Sequence, residues 1–224
     1  MKVKASAPGK LMLFGEHAVV YGYPCIVTTV DSRIYVEVEK NKEFKVEAPQ
    51  VKNTRFIEET VKLFCEKYKV DNKILIKTTS DFSSKFGFGS SSAVTVATIT
   101  GLSKLYKIKL SKKEIFDLGY KIVLSVQGVG SGFDIASATF GGTLYFVTGG
   151  KVIEPLSVKN LSSVIGYSGV KADTTSVVNN LKLKIKNSEL RYTKIFKSIT
   201  KIVEKAKISL VNSDWKRTGE LMNQ

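Results

Sequence analysis

The sequence predicts an α+β fold, and three observations carry that prediction. The first 50 residues have the alternation of apolar and polar side chains typical of strands, most clearly from Ile34 to Glu39. A glycine- and serine-rich loop, Gly87 to Ser92, stands between a β-rich segment and a long apolar helix. From about Asp173 onward the pattern is mostly helical. With 224 residues, 43% of them hydrophobic, the chain is long enough to bury a substantial core.

Each element has its own local signal in chain order. Ser111 and Glu114 have the spacing of a capping box, which predicts the start of a helix. In residues 181–186 lysine alternates with leucine and isoleucine, which favours an extended or irregular segment. The predicted strands cover residues 3–5, 11–14, 25–30, 34–39, 44–47, 73–78, 143–147, 152–153 and 164–167. The predicted helices cover residues 56–68, 93–105, 111–126, 192–210 and 214–222.

The net charge of +15 indicates either attraction to nucleic acid or membrane surfaces, or an enzyme that handles anionic substrates. Of the 35 basic residues only four are arginines, the type favoured for bidentate recognition of bases and phosphates, so nucleic acid is the weaker alternative. No apolar stretch reaches the length of a membrane span, and the first residues lack the apolar core of a signal peptide. We therefore expect a soluble, cytoplasmic protein without a membrane partner. The two cysteines, Cys25 and Cys65, predict neither a disulfide framework nor a thiolate metal site.

Three segments carry residues suited to phosphate chemistry. In the first, Gly87 to Ser92, glycines allow close backbone approach, and free N–H groups at the start of a helix bind anions. This loop lacks the Gly-Lys-Ser/Thr of a P-loop and the dinucleotide fingerprint. On its own, the loop therefore fits either a phosphate cradle or a plain connection.

The other two segments place charged residues among glycines. Residues 7–22 hold Lys10, Glu16 and the single histidine, His17, beside apolar strands, where unpaired charges are costly. Residues 128–134 end in Asp134, which flexible neighbours would either deliver into a site or use as a turn former. Taken separately, each segment leaves the structural and the functional interpretation open.

Together the three segments resemble the signature motifs of the GHMP kinases, the galactokinase, homoserine kinase, mevalonate kinase and phosphomevalonate kinase superfamily. Residues 8–10 and 13–22 resemble the first motif in its mevalonate kinase form. Gly87 to Ala93 resembles the phosphate-binding motif, and Ser131 to Asp134 resembles the catalytic-aspartate segment. The order is that of the family, and the resemblance continues through residues 165–174 and 219–223. It implies a small-molecule kinase of isoprenoid biosynthesis that uses ATP and Mg²⁺ and phosphorylates mevalonate to 5-phosphomevalonate.

The resemblance also implies roles for individual residues. Asp134 would be the catalytic acid–base residue, and Lys10 would keep it ionised and neutralise charge on the transferred phosphoryl group. Glu16 and His17 would contact the acceptor, and Ser91 would help to hold Mg²⁺. The backbone that would wrap the ATP phosphates is that of Gly87, Phe88, Gly89, Ser90, Ser91 and Ser92.

For the fold, the resemblance implies two regions. Residues 1–155 would form a two-layer N-terminal GHMP kinase domain with a ribosomal-protein-like βαβ fold. Residues 156–224 would begin a ferredoxin-like C-terminal domain, which is incomplete because the third family motif is absent. Exposed apolar helix faces in this second region would allow a homodimer.

The sequence also departs from the family pattern. Val123 stands where mevalonate kinases usually have a Mg²⁺-binding glutamate, and Ser83 to Phe86 stands where many members carry a proline pair. The sequence of residues 130–136 is more similar to that of phosphomevalonate kinases. Phosphomevalonate kinase or another small-molecule GHMP kinase is therefore the alternative. A non-catalytic nucleic-acid-binding relative is a further alternative, which the retention of Lys10, Ser91 and Asp134 opposes.

Overall fold

The computed structural model describes residues 1–159, 161, 163–170 and 174–224, which contain a single β-sheet and seven α-helices. Short 3₁₀ turns lie at Ala18–Tyr21 and Thr148–Gly150. The strands are β1 (Lys2–Phe14), β2 (Pro24–Lys40), β3 (Lys45–Glu47), β4 (Ile74–Ser80), β5 (Thr143–Val147) and β6 (Val152–Leu156). The helices are α1 (Arg55–Tyr68), α2 (Ser90–Leu105), α3 (Lys112–Gln127), α4 (Phe133–Phe140), α5 (Thr174–Asn187), α6 (Glu189–Val211) and α7 (Trp215–Met222).

The long strand β2 organises the sheet. Along one edge it pairs antiparallel with β1, from Lys2 opposite Glu39 to Phe14 opposite Ile26. Its other edge is shared, since β4 pairs with residues 34–40 and β5 with residues 24–28. The parallel strand β3 extends the sheet beyond β4, and the antiparallel strand β6 extends it beyond β5. A register shift between Pro8 and Lys10 interrupts the β1–β2 ladder, and such irregularities re-aim the side chains next to them.

The main core lies between the sheet and α1–α4. Val36 and Val38 of β2 and Ile99 and Leu102 of α2 are completely buried in this cluster. Helix α2 can lie this close to the sheet because Gly101 has no side chain, and a Cβ there would lie 2.7 Å from Val38 Cγ2. A sheet covered by helices on this face is the two-layer arrangement predicted for the N-terminal region.

A second core lies on the opposite face of the sheet, under α6 and α7. Cys25 and Ile26 are neighbours in β2, yet Cys25 belongs to the first cluster and Ile26 to the second, because successive side chains in a strand point to opposite faces. Val203 and Leu210 of α6 are completely buried in this cluster. Burial of each such side chain stabilises the fold by about 1.5–3 kcal/mol. Helices α6 and α7 are thereby attached to the sheet.

Most predicted elements are confirmed. The capping box forms as predicted, since the Glu114 N–H donates to Ser111 Oγ at 3.2 Å and the Ser111 N–H donates to Glu114 Oε2 at 2.8 Å. Two predictions are wrong: residues 164–167 form no strand, with Val164 fully exposed, and residues 181–186 belong to helix α5. Leu181 and Ile185, four residues apart, are half-buried while Leu183 is exposed, which is helical rather than strand periodicity.

In the second region, the described residues after Leu156 contain three α-helices and no strand. The division at residues 155 and 156 and the ferredoxin-like arrangement therefore stay predictions. Residues 171–173, part of the segment that resembles the family, lie outside the described residues. Among the helices that the structure describes, none has both the length and the apolar character needed to cross a bilayer.

Candidate active site

The glycine- and serine-rich loop runs directly into the first turn of α2. Gly89 is the N-cap residue, and the first intrahelical bond is donated by the Ala93 N–H to the Gly89 carbonyl at 3.0 Å. The N–H groups of Ser90, Ser91 and Ser92 precede this bond and have no carbonyl of their own helix to reach. Such N–H groups, with the positive end of the helix dipole, form an anion site. The predicted phosphate cradle therefore has the required backbone geometry.

Glycine is required at two positions of this loop. Gly87 and Gly89 have φ values of +77° and +70°, a left-handed conformation that other residues adopt at a cost. A Cβ on Gly87 would meet nothing within 4 Å, so open space lies above the loop. A Cβ on Gly89 would lie 3.0 Å from Lys10 Cε and 3.3 Å from Asp134 Oδ1. The loop therefore approaches both predicted catalytic side chains with its bare backbone.

Lys10 is held in place at the interruption of the β1–β2 ladder. Its backbone N–H donates to the Phe88 carbonyl at 3.0 Å, which ties β1 to the phosphate loop. Its side chain is only 16% exposed, and Nζ lies 5.1 Å from the centre of the Phe133 ring, within cation–π range. Nζ lies 3.0 Å from Asp134 Oδ1. The structure therefore brings Lys10 and Asp134 into direct contact beneath the loop.

Asp134 lies on a helix, which the sequence did not predict at this position. It is the second residue of α4, whose N-cap is Gly132 with a φ of +94°. A helix fixes the Cα–Cβ direction more tightly than a glycine-rich loop would. Helix α4 was not predicted from the local sequence because the helix is short and glycines flank both of its ends.

The two carboxylate oxygens of Asp134 differ in their exposure. Oδ1 is sealed from solvent, and its contact with Lys10 Nζ, although close at 3.0 Å, lacks the angles of a hydrogen bond. The side chain as a whole is 34% exposed, so its exposed area belongs to its other atoms. The carboxylate is thus paired electrostatically with a cation and still has accepting capacity.

Glu16 and His17 lie on the turn between β1 and β2, and both are exposed. His17 has a φ of +60°, which is uncommon for a residue with a side chain and strained outside functional or tight turns. In the hydrogen bonds and ion pairs between described residues, neither side chain takes part. The structure therefore does not bring Glu16 or His17 into contact with Lys10 or Asp134.

The buried thiol of Cys25 shows that Glu16 nevertheless shares an electrostatic environment with the pair. Burial raises the pKa of Cys25, and the negative charges of Asp134 and Glu16 raise it further, whereas Lys10 lowers it. All three charges therefore act on the same buried position at the start of β2. Cys25 is completely buried in the main core, and because a raised pKa keeps its thiol protonated, it is not a nucleophile.

The residues around the loop suit Mg²⁺ that arrives with a nucleotide. Ser91 offers a hydroxyl in the first turn of α2, and Mg²⁺ ordinarily keeps several waters and binds substrate phosphates together with few protein ligands. Val123 is buried in the main core, so helix α3 supplies no ligand at that position. Across the described part of the chain, no cluster of three or more His, Cys, Asp and Glu side chains is arranged to hold a metal ion. The side chains fit an ion shared with phosphates, not a protein-enclosed one.

A separate cleft of about 390 Å³ lies beside α1, away from Lys10 and Asp134. Its lining includes Cys65, whose pKa is raised to about 11 by burial and by the negative charge of Asp71. At neutral pH this thiol is protonated and unreactive. The cleft lacks the combination of a largely buried cation and a carboxylate found beneath the glycine loop, so the glycine loop is the candidate functional site.

A glycine loop at a helix N-terminus, with a lysine–aspartate pair beneath it, defines a phosphate-handling domain. Residues 55–142 match the family described as GHMP kinases N terminal domain. The match spans the phosphate loop and Asp134, as the motifs predicted.

The individual relatives are mevalonate kinases. The chain is 34% identical over 208 residues to mevalonate kinase of Thermococcus sibiricus, an alignment that covers 81% of this chain and 62% of the relative. It therefore spans about three fifths of the length of the curated relatives it matches. The structure of L. major mevalonate kinase in complex with R-mevalonate is 25% identical with a TM-score of 0.81, covering 99% of this chain and 73% of that one. A Streptococcus pneumoniae phosphomevalonate kinase structure, at 14% identity and a TM-score of 0.81 over 99% and 78% of the two chains, shows the same fold.

Sequence reasoning missed three features of the site. The Phe88 carbonyl anchors Lys10, the Phe133 ring lies near the Lys10 ammonium, and Cys25 is buried where the charges of Lys10 and Asp134 act on its thiol. Phe88 was predicted as part of the phosphate loop but not as the anchor of Lys10, and Phe133 stands next to the predicted Asp134. Cys25 had no signal in the local sequence, because its position depends on the pairing of β1 with β2.

Proposed function

We propose that the protein is an ATP-dependent small-molecule kinase that transfers the γ-phosphoryl group of ATP to a hydroxyl group of mevalonate. The observation that carries this proposal is the contact of Lys10 Nζ with Asp134 Oδ1 at 3.0 Å, directly beneath the N-terminal loop of α2. Phosphoryl transfer requires mainly positioning and charge neutralisation, and these groups supply both.

In this mechanism Asp134 acts as the general base. Oδ1 is sealed from solvent beside Lys10, so the other carboxylate oxygen, Oδ2, would take the proton of the acceptor hydroxyl as the oxygen of that hydroxyl attacks the γ-phosphorus. The new bond joins the acceptor oxygen to phosphorus, and the bond between the γ-phosphorus and the β–γ bridging oxygen breaks. ADP leaves with the electron pair of that bond, and the proton leaves Asp134 to solvent after transfer.

Charge on the transferred group would be neutralised from two sides. The N–H groups of Ser90, Ser91 and Ser92 would bind phosphate oxygens, and the Lys10 ammonium would face the group from beneath the loop. When bound, Mg²⁺ would supply further neutralisation of the phosphates, and the Ser91 hydroxyl would be its protein ligand. Because Lys10 is largely buried, its attraction to phosphate is less screened than that of a surface lysine.

Mevalonate is the acceptor supported best, because the curated relatives at 33–36% identity are mevalonate kinases. Glu16 and His17 would contact it from the turn between β1 and β2, and the charge of Glu16 acts on the same buried thiol, Cys25, as the charges of Lys10 and Asp134. Phosphomevalonate is the second candidate, favoured by the resemblance of the sequence of residues 130–136 to phosphomevalonate kinases. The fold alone does not separate the two acceptors, since enzymes named for either one share it.

The test is a coupled ADP-release assay on the 224-residue chain with ATP and Mg²⁺, offered R-mevalonate and phosphomevalonate in separate reactions. We expect ADP release that depends on mevalonate, with product mass increased by one phosphoryl group. Release only with phosphomevalonate would favour the second candidate. Release with neither acceptor would contradict the proposed activity for this chain.

A further inference from the structure

An aromatic cluster joins the turn that carries Glu16 and His17 to helix α6. The Phe196 ring stacks on Tyr21 with a centroid distance of 5.2 Å and an interplanar angle of 17°. The same ring packs against Tyr23 at 5.2 Å and Tyr192 at 6.3 Å. Phe196 is only 5% exposed, although its α6 neighbours Lys194, Ile195 and Lys197 are exposed. The turn is therefore covered by a residue from the far side of the predicted domain boundary.

The turn between β1 and β2 is also attached to the main core, in which Val19 is buried and against which Val20 packs. At its start, Gly15 approaches the backbone so closely that a Cβ would lie 2.5 Å from the Pro24 carbonyl oxygen. At its middle, the Thr148 hydroxyl donates to the Val19 carbonyl. Ala18 and Val19 are buried, whereas Glu16 and His17 are exposed. The contact of Tyr21 and Tyr23 with Phe196 is thus the described attachment between this turn and α6.

From these contacts we infer that Phe196 is a positioning residue for the acceptor: it holds residues 16–23 in place, and α6 thereby controls acceptor affinity without touching the reacting atoms. The inference rests on the proposed function, in which Glu16 and His17 contact mevalonate. The phosphate loop has no part in the cluster, since its own aromatic contacts are those of Phe88 with Phe82 and Phe86. Loss of the Phe196 ring should therefore weaken binding of the acceptor and leave binding of ATP unchanged.

The variant Phe196→Leu removes the ring and retains an apolar side chain. An aromatic pair contributes enough beyond its buried area to change an equilibrium roughly 3- to 10-fold. We expect KM for mevalonate to rise by about that factor, with KM for ATP unchanged. The matched control is Val203→Ala, which also removes buried apolar atoms from α6 but lies in the cluster with Phe14 and Ile26, away from the turn. The control should leave both KM values unchanged.

Amide hydrogen exchange separates this inference from the proposed function, because it needs no turnover. In Phe196→Leu the amides of residues 16–23 should exchange roughly 3- to 10-fold faster, while those of residues 87–92 keep the parent rate. Equal exchange of residues 16–23 in the parent and Phe196→Leu would overturn the positioning role, whether or not the chain turns over mevalonate. Equal increases in both KM values, or the same changes in Val203→Ala, would also overturn it. Failure of the parent chain to use mevalonate, with faster exchange in Phe196→Leu, would refute the acceptor and keep the positioning of the turn.

Discussion

Replacement of Gly89 by alanine tests the packing of the phosphate loop on the catalytic pair. With φ at +70°, any residue with a Cβ at this position carries a backbone cost of about 1–2 kcal/mol. The new Cβ would lie 3.0 Å and 3.1 Å from Lys10 Cε and Cγ, and 3.3 Å from Asp134 Oδ1. These distances are shorter than ordinary van der Waals contact, so the lysine must move by a few tenths of an ångström.

Displacement of Lys10 should lower kcat beyond what the loss of folding stability alone would cause. We expect Gly89→Ala to lose about 1–2 kcal/mol of the free energy of unfolding and about 10- to 100-fold in kcat, since small misplacements in a catalytic site have effects of this order. The control is Gly128→Ala, at the C-cap of α3, where φ is +75° and a Cβ would meet nothing within 4 Å. It should lose similar stability and little turnover.

The assays are urea denaturation followed by fluorescence, and coupled ADP release at saturating ATP and mevalonate. The reasoning would be refuted by equal kcat values for Gly89→Ala and Gly128→Ala, because their backbone costs are alike and only one of them crowds Lys10. A normal kcat in Gly89→Ala together with the expected stability loss would show that the loop tolerates displacement of the lysine.

Three further predictions concern the pair, a helix cap and the attachment of α6. Lys10→Gln should lower kcat by about 10²- to 10³-fold in the ADP-release assay while circular dichroism stays unchanged, because one neutralising cation is lost. Ser111→Ala should lower the free energy of unfolding by about 1 kcal/mol in urea denaturation at pH 7. The backbone N–H and the hydroxyl of Ser111 both donate to Glu114 and lower its pKa, and the variant loses only the hydrogen bond of the hydroxyl. The contribution of that bond is present above the ordinary pKa of 4.5 and fades as pH falls through the lowered value, so the difference from the parent should shrink below about pH 4.5. Leu210→Ala should lower the free energy of unfolding of the whole chain by about 2–5 kcal/mol, with unfolding in one cooperative transition. Ile208→Ala, at an exposed position of the same helix, should change the free energy of unfolding little. A separate early transition of α6 would contradict its attachment to the sheet.

Signals that lie within a few residues predicted local structure well. Ser111 and Glu114 specified a helix start, and the alternation from Ile34 to Glu39 specified the half of β2 that pairs with β4. The prediction of an extended or irregular segment at residues 181–186 was wrong because a pattern with every second residue apolar also contains apolar pairs four residues apart. Leu181 and Ile185 form such a pair, and both are half-buried in the helix. Short-range pattern cannot resolve that ambiguity.

The candidate site was predictable as a set of motifs and not as a geometry. Lys10, Gly89 and Asp134 are far apart in sequence, and they meet because the β1–β2 ladder is interrupted at Lys10 and α4 begins at Gly132. Neither feature has a local signal of its own. The contact of Phe196 with Tyr21 is similarly invisible in the sequence, since it depends on α6 packing across the sheet.

The central claim is that Asp134 takes the acceptor proton in a mevalonate-dependent phosphoryl transfer, and the most direct measurement is steady-state ADP release by Asp134→Asn. Asparagine keeps the shape of the side chain but cannot serve as the base. The matched control is Asp117→Asn, which changes an exposed carboxylate on α3 that pairs with Lys113. We predict a 10²- to 10⁴-fold loss of kcat in Asp134→Asn with ATP binding retained, and no loss in Asp117→Asn. A kcat for Asp134→Asn within a few-fold of the parent value would contradict the claim.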